Sequence, residues 1–252
     1  MWTDLTLHER TLAALARARD AGILVVVVTG RMVQSVRKAL APADLQAPVI
    51  CYQGAVVADA DGTWLRHEPL PVELARETIS VLAGEGYSPN VYVDDELYVA
   101  ADTPEARAYA SLNRIEFHIV GPLLDWLEAQ PTKLVAVGEP AKLDALEPKL
   151  KARFGDRAFI SKSLPHFLEF AKAGVTKGAG LDFLSAHLGF AKEQTIAFGD
   201  GENDIELVEW PAYGIAMENA TPRVKAVASW VCPPAADEGV AQVLEALLDS
   251  RS

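Results

Sequence analysis

The chain has 252 residues, of which 50% are apolar and 23% charged, a globular composition that suffices for one large domain or two of ordinary size. Its formal net charge of -12 disfavours nucleic acid as a partner, because no basic surplus is present to neutralise phosphates. No apolar run is long enough to span a membrane, and Cys51 and Cys232 follow no ligand spacing, so we expect a cytoplasmic protein without a membrane partner.

The first part of the chain follows an α/β pattern. Apolar spacing predicts a helix over 8–21 that stops at Gly22. The β-branched run Ile23 to Val28 is typical of a parallel strand buried on both faces, and Thr29-Gly30-Arg31 ends it. The pattern then predicts a helix over 33–40, a strand over 48–52, and a hairpin of 55–58 with 63–66.

The middle of the chain differs from this pattern, because hairpins replace the alternation of strands and helices. We expect helices over 71–83, 104–112 and 141–154, and strands over 90–93, 96–100, 133–137, 158–163 and 167–171. Such an order indicates an α+β unit. We therefore predict a second domain over 69–165, inserted into a first domain formed by 1–68 and 166–252.

The α/β pattern returns after the insertion. A helix is expected over 176–188, followed by a buried strand over 195–198 and a short helix over 204–209. Two further strands, over 213–217 and 230–232, enclose a helix over 222–228, and a helix over 239–248 closes the chain.

The segment after the strand over 195–198 holds the strongest chemical signal. Asp200, Asn203 and Asp204 are hard oxygen ligands suited to Mg²⁺, and they follow the carboxyl end of a buried strand, where open α/β sheets bind ligands. An acidic turn that caps a helix is the alternative interpretation. Thr29 and Lys177 also lie at the ends of α/β elements, and a hydroxyl, an ammonium group and a carboxylate-bound metal are what phosphoryl transfer requires.

Almost the whole chain resembles the haloacid dehalogenase superfamily, specifically its Cof-type phosphatases with a type IIB cap. Five segments in the family's order carry this resemblance: Val25-Val26-Val27-Val28-Thr29-Gly30-Arg31, Val175-Thr176-Lys177-Gly178, Ile196 to Asp204, Gly214-Ile215-Ala216-Met217-Glu218-Asn219-Ala220, and Asp237-Glu238-Gly239-Val240-Ala241. The resemblance implies a Rossmann-like core with a parallel sheet, and an inserted α+β cap domain.

The resemblance also implies a role for each matched residue. Thr29 and the amide of Gly30 would bind the transferring phosphoryl group, and Lys177 would neutralise its charge and orient the nucleophile. Asp200 would ligate Mg²⁺. Asn203 would reach the phosphate. Asp204 would support either the metal shell or Lys177. On the first of these roles we assign Asp204, together with Asp200, to the metal site.

One family motif is missing where it is expected. The family carries its nucleophile in an Asp-x-Asp-Gly-Thr motif after the first strand, whereas Met1 to Leu7 resembles the segment that directly follows this motif. Asp4 is a poor substitute, since no apolar strand precedes it. We expect the motif to lie upstream of Met1, which makes the activity of this exact chain doubtful. A natural pseudo-phosphatase and a different source of the nucleophile remain open.

A literal match to that motif occurs at Asp59-Ala60-Asp61-Gly62-Thr63. It follows Thr29-Gly30-Arg31 instead of preceding it, and Trp64-Leu65 has the pattern of a returning strand. We therefore interpret Asp61-Gly62 as a hairpin turn. A permuted arrangement with Asp59 as the nucleophile is the less favoured alternative.

The leading hypothesis is a Mg²⁺-dependent phosphatase for small phosphorylated metabolites, with sugar phosphates favoured. The alternative is an inactive homologue that binds a phosphate or metabolite without turnover. A dinucleotide-binding domain is excluded, because no Gly-x-Gly-x-x-Gly follows a strand. Monomer and homodimer both remain open. Possible substrate contacts in the cap, each more simply explained as ordinary surface, are Asp94, Asp95, Glu96, His118 and His166.

Overall fold

The computed structural model describes residues 7–250, which divide into two units. Unit 1 comprises the chain up to Leu65 and from Thr176 onward, and unit 2 is Arg66–Val175. The architecture is the α/β fold expected from the sequence, with parallel strands in unit 1 and a mostly antiparallel sheet in unit 2.

The first part of unit 1 is built around a small mixed sheet. Its elements are helix α1 (Glu9–Asp20), strand β1 (Val27–Val28), helix α2 (Val33–Leu40), and strands β2 (Val49–Cys51), β3 (Val56–Ala58) and β4 (Trp64–His67). The sheet has the order β1-β2-β3-β4, with β1 parallel to β2 and β2 antiparallel to β3. This register brings the carboxyl ends of β1 and β2 to the same edge.

Strand β1 is shorter and less buried than the sequence indicates. Only Val27 and Val28 pair in the ladder, opposite Val49 and Ile50. All four valines of the run are half-buried and Leu24 is 47% exposed, so the prediction of a strand over 23–28 buried on both faces is wrong. The reason is the pairing: within residues 7–250, β1 has a ladder partner on one side alone, which leaves its side chains partly exposed.

Unit 2 contains six strands and four helices. They are helix α3 (Val72–Gly84), strands β5 (Asn90–Val93) and β6 (Glu96–Val99), helix α4 (Pro104–Asn113), strand β7 (His118–Ile119), helix α5 (Leu123–Trp126), strand β8 (Lys133–Val137), helix α6 (Pro140–Phe154), and strands β9 (Ala158–Leu164) and β10 (Phe167–Lys172). The sheet has the order β7-β6-β5-β8-β10-β9. The sequence analysis missed β7 and α5, which are too short to show a periodicity.

The two faces of this sheet differ in chemistry. One face packs against α3 and α6 in an apolar core that includes Leu134 and Phe170. The opposite face carries a buried ion pair, Lys133 Nζ to Glu169 Oε2 at 3.4 Å. Tyr92 on the same face lies under the Lys133 ammonium group and shares a hydroxyl hydrogen bond with Tyr109 of α4.

The unit boundaries differ from those expected at 68/69 and 165/166. The second boundary lies after Val175, because β10 pairs with both β8 and β9 and therefore completes the sheet of unit 2. The sequence shows a strand over 167–171, and its partner is a property of the tertiary structure.

The second part of unit 1 is a regular α/β arrangement. Its elements are helix α7 (Lys177–Leu188), strand β11 (Ile196–Gly199), helix α8 (Ile205–Glu209), strand β12 (Tyr213–Met217), helix α9 (Pro222–Val227), strand β13 (Trp230–Cys232) and helix α10 (Gly239–Asp249). Strands β11, β12 and β13 form a parallel sheet in that order. Both cysteines are buried as free thiols. Across residues 7–250, every helix is too short or too polar to traverse a bilayer.

Candidate active site

Three loops of unit 1 meet at the carboxyl ends of its parallel strands. The first follows β1 and contains Thr29 and Gly30, and the second begins α7 at Lys177. The third follows β11 and runs from Asp200 to Asp204. Hydrogen bonds and close packing connect all three loops, so the structure brings together the residues that the sequence analysis selected.

The backbone and the hydroxyl group of Thr29 have distinct roles. Its N–H donates to the carbonyl of Ile50 at 2.8 Å, and its own carbonyl accepts the N–H of Gln53 at 3.1 Å. Thr29 Oγ1 accepts the N–H of Arg31 at 3.3 Å. The Thr29 hydroxyl thus accepts one hydrogen bond from the protein, and a hydroxyl can donate one as well.

Lys177 and Asp204 form an ion pair inside unit 1. They are 7% and 6% exposed, and Lys177 Nζ donates to Asp204 Oδ1. Asp204 Oδ2 accepts the backbone N–H groups of Asp200 at 2.9 Å and Gly201 at 3.0 Å. Thr176 caps α7 by accepting the N–H of Ala179, which fixes where the helix starts and where Lys177 leaves it.

These contacts set the ionisation of Asp204. Burial opposes its charged form, but the charge and the hydrogen bond of Lys177, together with the N–H groups of Gly201 and Asp200, hold the pKa of Asp204 below its usual value. Asp204 is therefore a carboxylate, and both of its oxygens are engaged by protein donors.

Asp200 is the exposed carboxylate of the site. Its Oδ2 accepts a hydrogen bond from Asn219 Nδ2 at 2.9 Å, and Asn219 Oδ1 in turn accepts the N–H of Ala235 at 2.9 Å. Asn219 lies directly after β12 in a segment that the sequence analysis noted without giving this residue a role. It holds one oxygen of Asp200 in place and leaves the carboxylate facing solvent.

Asn203 connects the third loop to a residue that the sequence analysis did not select. Its Nδ2 donates to Gln53 Oε1 at 2.9 Å, and Gln53 is 2% exposed. A glutamine after a short strand carries no motif, so the pattern gave no signal for it. A buried glutamine is nonetheless rare enough to be informative once its burial is known.

The sequence predicts a metal site at Asp200 and Asp204, and the structure shows which ligand groups are available for a metal ion there. Within residues 7–250, no group of three or more His, Cys, Asp or Glu side chains is arranged to hold a metal ion. Asp200 offers an exposed carboxylate, which suits a hard cation such as Mg²⁺, an ion that often takes one or two carboxylates and completes its shell with water and substrate phosphate. The donor chemistry thus fits a site with one free carboxylate.

Asp59 lies at the other end of the sheet from Thr29. Ala58 pairs with Val49, and Val49 pairs with Val27, so the chain reaches Asp59 beyond the amino ends of β1 and β2. Thr29 follows their carboxyl ends. Asp4, the other aspartate considered from the sequence, lies outside the described residues.

The carboxylate of Asp59 accepts hydrogen bonds from the backbone of its own hairpin. Its Oδ1 accepts the backbone N–H groups of Asp61, Gly62 and Thr63 at 3.2, 3.2 and 3.0 Å, and Gly62 adopts a φ of 104°. The hairpin turn predicted at Asp61-Gly62 is confirmed. This arrangement explains the Asp-x-Asp-Gly-Thr match as turn chemistry.

The possible substrate contacts in unit 2 have local partners in the structure. Asp94 and Asp95 form the tip of the β5–β6 hairpin with positive φ values of 51° and 62°. His118 Nε2 lies 3.2 Å from Glu96 Oε2, and His166 Nδ1 lies 3.1 Å from the carbonyl of Gly138. Their assignment to substrate binding stays a prediction, as does the cap role of the inserted domain.

Comparison with known proteins gives a consistent result. The family model for haloacid dehalogenase-like hydrolases matches residues 3–244. The HMP-PP phosphatase of Klebsiella pneumoniae is 30% identical over 227 residues, which cover 88% of this chain and 82% of that protein. The crystal structure of TM0651 from Thermotoga maritima has a TM-score of 0.83 and 30% identity, and the match covers 95% of this chain and 90% of that one.

A further solved structure supports the fold alone. The subclass IIB sugar phosphatase BT4131 has a TM-score of 0.82 at 20% identity, with 96% of this chain and 92% of that chain covered. The matched family agrees with the resemblance found in the motifs. The chain belongs to the haloacid dehalogenase-like hydrolases and is of the Cof type.

Proposed function

We propose that this protein hydrolyses small phosphate monoesters, with sugar phosphates as the favoured class. The observation that carries this proposal is the connection of Thr29, Lys177 and Asn203 at one edge of unit 1, through Gln53 and Asp204. A hydroxyl, an ammonium group and a carboxamide on connected loops are suited to bind a phosphoryl group and to stabilise its developing charge.

Each residue has a role that follows from its contacts. The Thr29 hydroxyl and the Gly30 amide bind phosphate oxygens. Lys177, held by Asp204, places a fixed positive charge against the phosphoryl group. Because Asp204 already accepts three hydrogen bonds from protein groups, its geometry favours support of Lys177 over direct metal ligation.

Mg²⁺ is the cofactor that fits this chemistry, with Asp200 as its ligand. When bound, the ion would neutralise negative charge on the transferring group. Asn219 supports this role because it orients Asp200 without covering it. Asp200 alone gives little affinity, so we expect Mg²⁺ to bind well only together with phosphate.

The relatives suggest which compounds to assay. HMP-PP and sugar phosphates are named as substrates of the similar proteins, and p-nitrophenyl phosphate serves as a general probe. The test is release of inorganic phosphate by the purified chain from these compounds, with MgCl₂ and with EDTA. Because no nucleophile is assigned within residues 7–250, we expect hydrolysis to be slow. That hydrolysis should require Mg²⁺ and be lost in Lys177→Met; hydrolysis unaffected by that change would contradict the proposal.

A second candidate is binding of a phosphorylated metabolite without turnover. Two observations favour it within residues 7–250: the carboxylate of Asp204 is committed to Lys177, and Asp59 is remote from Thr29. Calorimetric titration with phosphate monoesters separates the two functions. Binding that depends on Thr29 and Lys177, without phosphate release over hours, would support the binding function and exclude the hydrolytic one.

A further inference from the structure

The turn Tyr52-Gln53-Gly54, which follows β2, has an unusual backbone. All three residues have positive φ values, 51°, 60° and 102°, and all three are buried. Two consecutive residues other than glycine in the left-handed region are uncommon, and such conformations persist where the surroundings fix them. Here the N–H of Tyr52 donates to the Arg31 carbonyl and that of Gln53 to the Thr29 carbonyl.

The same turn packs against the start of α7. Gly54 lies so close to the helix that a Cβ added to it would be 2.0 Å from the Thr176 carbonyl oxygen. A Cβ added to Gly180 would be 3.1 Å from the Gly54 Cα. The turn therefore contacts both the loop that carries Thr29 and the helix start that carries Lys177.

The side chain of Gln53 reaches the third loop. Its Oε1 accepts the hydrogen bond from Asn203, and its amide lies against Gly30, where an added Cβ would be 2.3 Å from Gln53 Nε2. Gln53 is thus in direct contact with two of the predicted phosphate-binding residues, Gly30 and Asn203, and its backbone holds Thr29.

We propose that Gln53 is a positioning residue, whose side chain orients the carboxamide of Asn203 for a bound phosphate group. This inference rests on the proposed function, because it concerns the same site. The Asn203 amide nitrogen carries two hydrogens, and the bond to Gln53 Oε1 uses one of them. That bond fixes the plane of the amide and therefore the direction of the second hydrogen.

A donor fixed in advance binds an anion more tightly than one that must be ordered upon binding. Removal of the acceptor on Gln53 leaves the Asn203 carboxamide free to rotate about its Cβ–Cγ bond. We expect the affinity for inorganic phosphate to fall by about tenfold, as the loss of one hydrogen bond implies. The residue acts through Asn203, so its effect should vanish when Asn203 is absent.

The test is a double-mutant cycle with Gln53→Met, Asn203→Ala and the double variant. Methionine keeps the length and the unbranched Cβ of glutamine but cannot accept this hydrogen bond at comparable strength. Binding of inorganic phosphate in the presence of MgCl₂ is measured by calorimetry. We expect the double variant to bind phosphate as weakly as Asn203→Ala; effects that simply add would contradict the inference.

A second measurement does not depend on phosphate binding. The side-chain amide resonances of Asn203 are followed by nitrogen-15 NMR in the wild type, in Gln53→Met, and in Gln53→Glu, which keeps an acceptor. We expect one Asn203 Nδ2 proton to be shifted downfield and protected from exchange with water in the wild type and in Gln53→Glu. In Gln53→Met that proton should lose both the shift and the protection. Unchanged Asn203 resonances in Gln53→Met would contradict the positioning role.

The two measurements separate failure of this inference from failure of the proposed function. A wild-type chain that neither binds nor hydrolyses phosphate esters contradicts the proposed function, and the Asn203 resonances then decide the positioning role alone. Phosphate binding that is equal in wild type and Gln53→Met, with urea midpoints also equal, overturns the inference and leaves the proposed function intact.

Discussion

Lys177 and Asp204 form a buried ion pair in which the carboxylate also accepts two backbone N–H groups. Asp204 comes from the loop after β11 and Lys177 from the first residue of α7, so the pair joins two of the three loops at the site. Each charge is stabilised by the other because neither is well solvated. The pair therefore affects both stability and any chemistry that uses the Lys177 ammonium group.

Removal of one partner of this pair should strongly destabilise the protein. Asp204→Asn and Lys177→Met each leave a buried charge without its partner, which costs on the order of 3–5 kcal/mol. The double variant Lys177→Met/Asp204→Asn removes both charges, so we expect it to recover part of that loss. Urea unfolding followed by circular dichroism measures the free energies, and additive losses in the double variant would argue against the coupling.

The lowered pKa of Asp204 predicts a dependence of stability on acid. Because the folded pKa lies below the unfolded value of about 3.9, the unfolded chain takes up the proton first as pH falls. The contribution of Asp204 is complete above the unfolded value and is lost as pH falls through the folded one. We expect the urea midpoint of the wild type to decline more steeply below about pH 4 than that of Asp204→Asn.

The exposed Asp156 provides a matched control for this experiment, since Asp156→Asn removes one carboxylate without breaking a buried pair. We expect it to follow the wild-type decline. If the urea midpoint falls with pH equally steeply in the wild type and in Asp204→Asn, the Asp204 carboxylate does not contribute to acid unfolding.

The hydroxyl of Thr29 should control phosphate affinity. Thr29→Val keeps the shape of the side chain and removes the donor, and we expect phosphate binding or kcat/KM to fall about a hundredfold, as for loss of one donor to a developing anion. Thr29→Ser retains the hydroxyl and should stay within about tenfold of wild type. Steady-state kinetics and calorimetry check this, and similar losses in both variants would contradict the role of the hydroxyl.

Mg²⁺ and phosphate should bind cooperatively if Asp200 is the carboxylate that ligates the ion. We expect weak Mg²⁺ binding without phosphate, and at least about tenfold tighter binding with it. In Asp200→Asn both affinities should fall. Asn219→Ala should weaken Mg²⁺ binding less, since it releases one oxygen of Asp200 without removing it. Calorimetric titration measures these values; Mg²⁺ affinity independent of phosphate would contradict the prediction.

Asp59 should be irrelevant to activity and relevant to the β3–β4 hairpin. Asp59→Asn weakens a carboxylate that accepts three turn N–H groups, and we expect a loss of about 1 kcal/mol in unfolding free energy. Phosphate release should remain at the wild-type rate. An activity loss in Asp59→Asn, at an unchanged urea midpoint, would restore Asp59 as the nucleophile.

The positions of the site loops could be predicted from the sequence because they depend on local patterns. Apolar runs that end at Thr29 and at Asp200 indicate strand ends, and Thr176 before Lys177 indicates a helix start. Carboxyl ends of parallel strands meet at one edge of a sheet, so the same pattern predicted that these residues come together. The hairpin at Asp61-Gly62 follows from turn chemistry in the same way.

The contact partners of these residues could not be predicted from the sequence, because a side-chain contact between distant segments leaves no periodic pattern. Three features depend on how the loops pack: the burial of Gln53, its hydrogen bond with Asn203 at 2.9 Å, and the hydrogen bond from Asn219 that holds Asp200. The pairing of β10 with β8 and β9 also depends on the tertiary structure. It places the second unit boundary after Val175, where the sequence pattern indicated 165/166.

The sequence by itself determined the family, the α/β class and the chemical groups of the site, because motifs and periodicity are local. Only the tertiary structure decided which carboxylate is free and which is committed. Asp200 and Asp204 are nearly adjacent in the chain, yet one faces solvent and the other is enclosed with Lys177. Burial and the direction of hydrogen bonds separate them, and both depend on atoms supplied by distant parts of the chain.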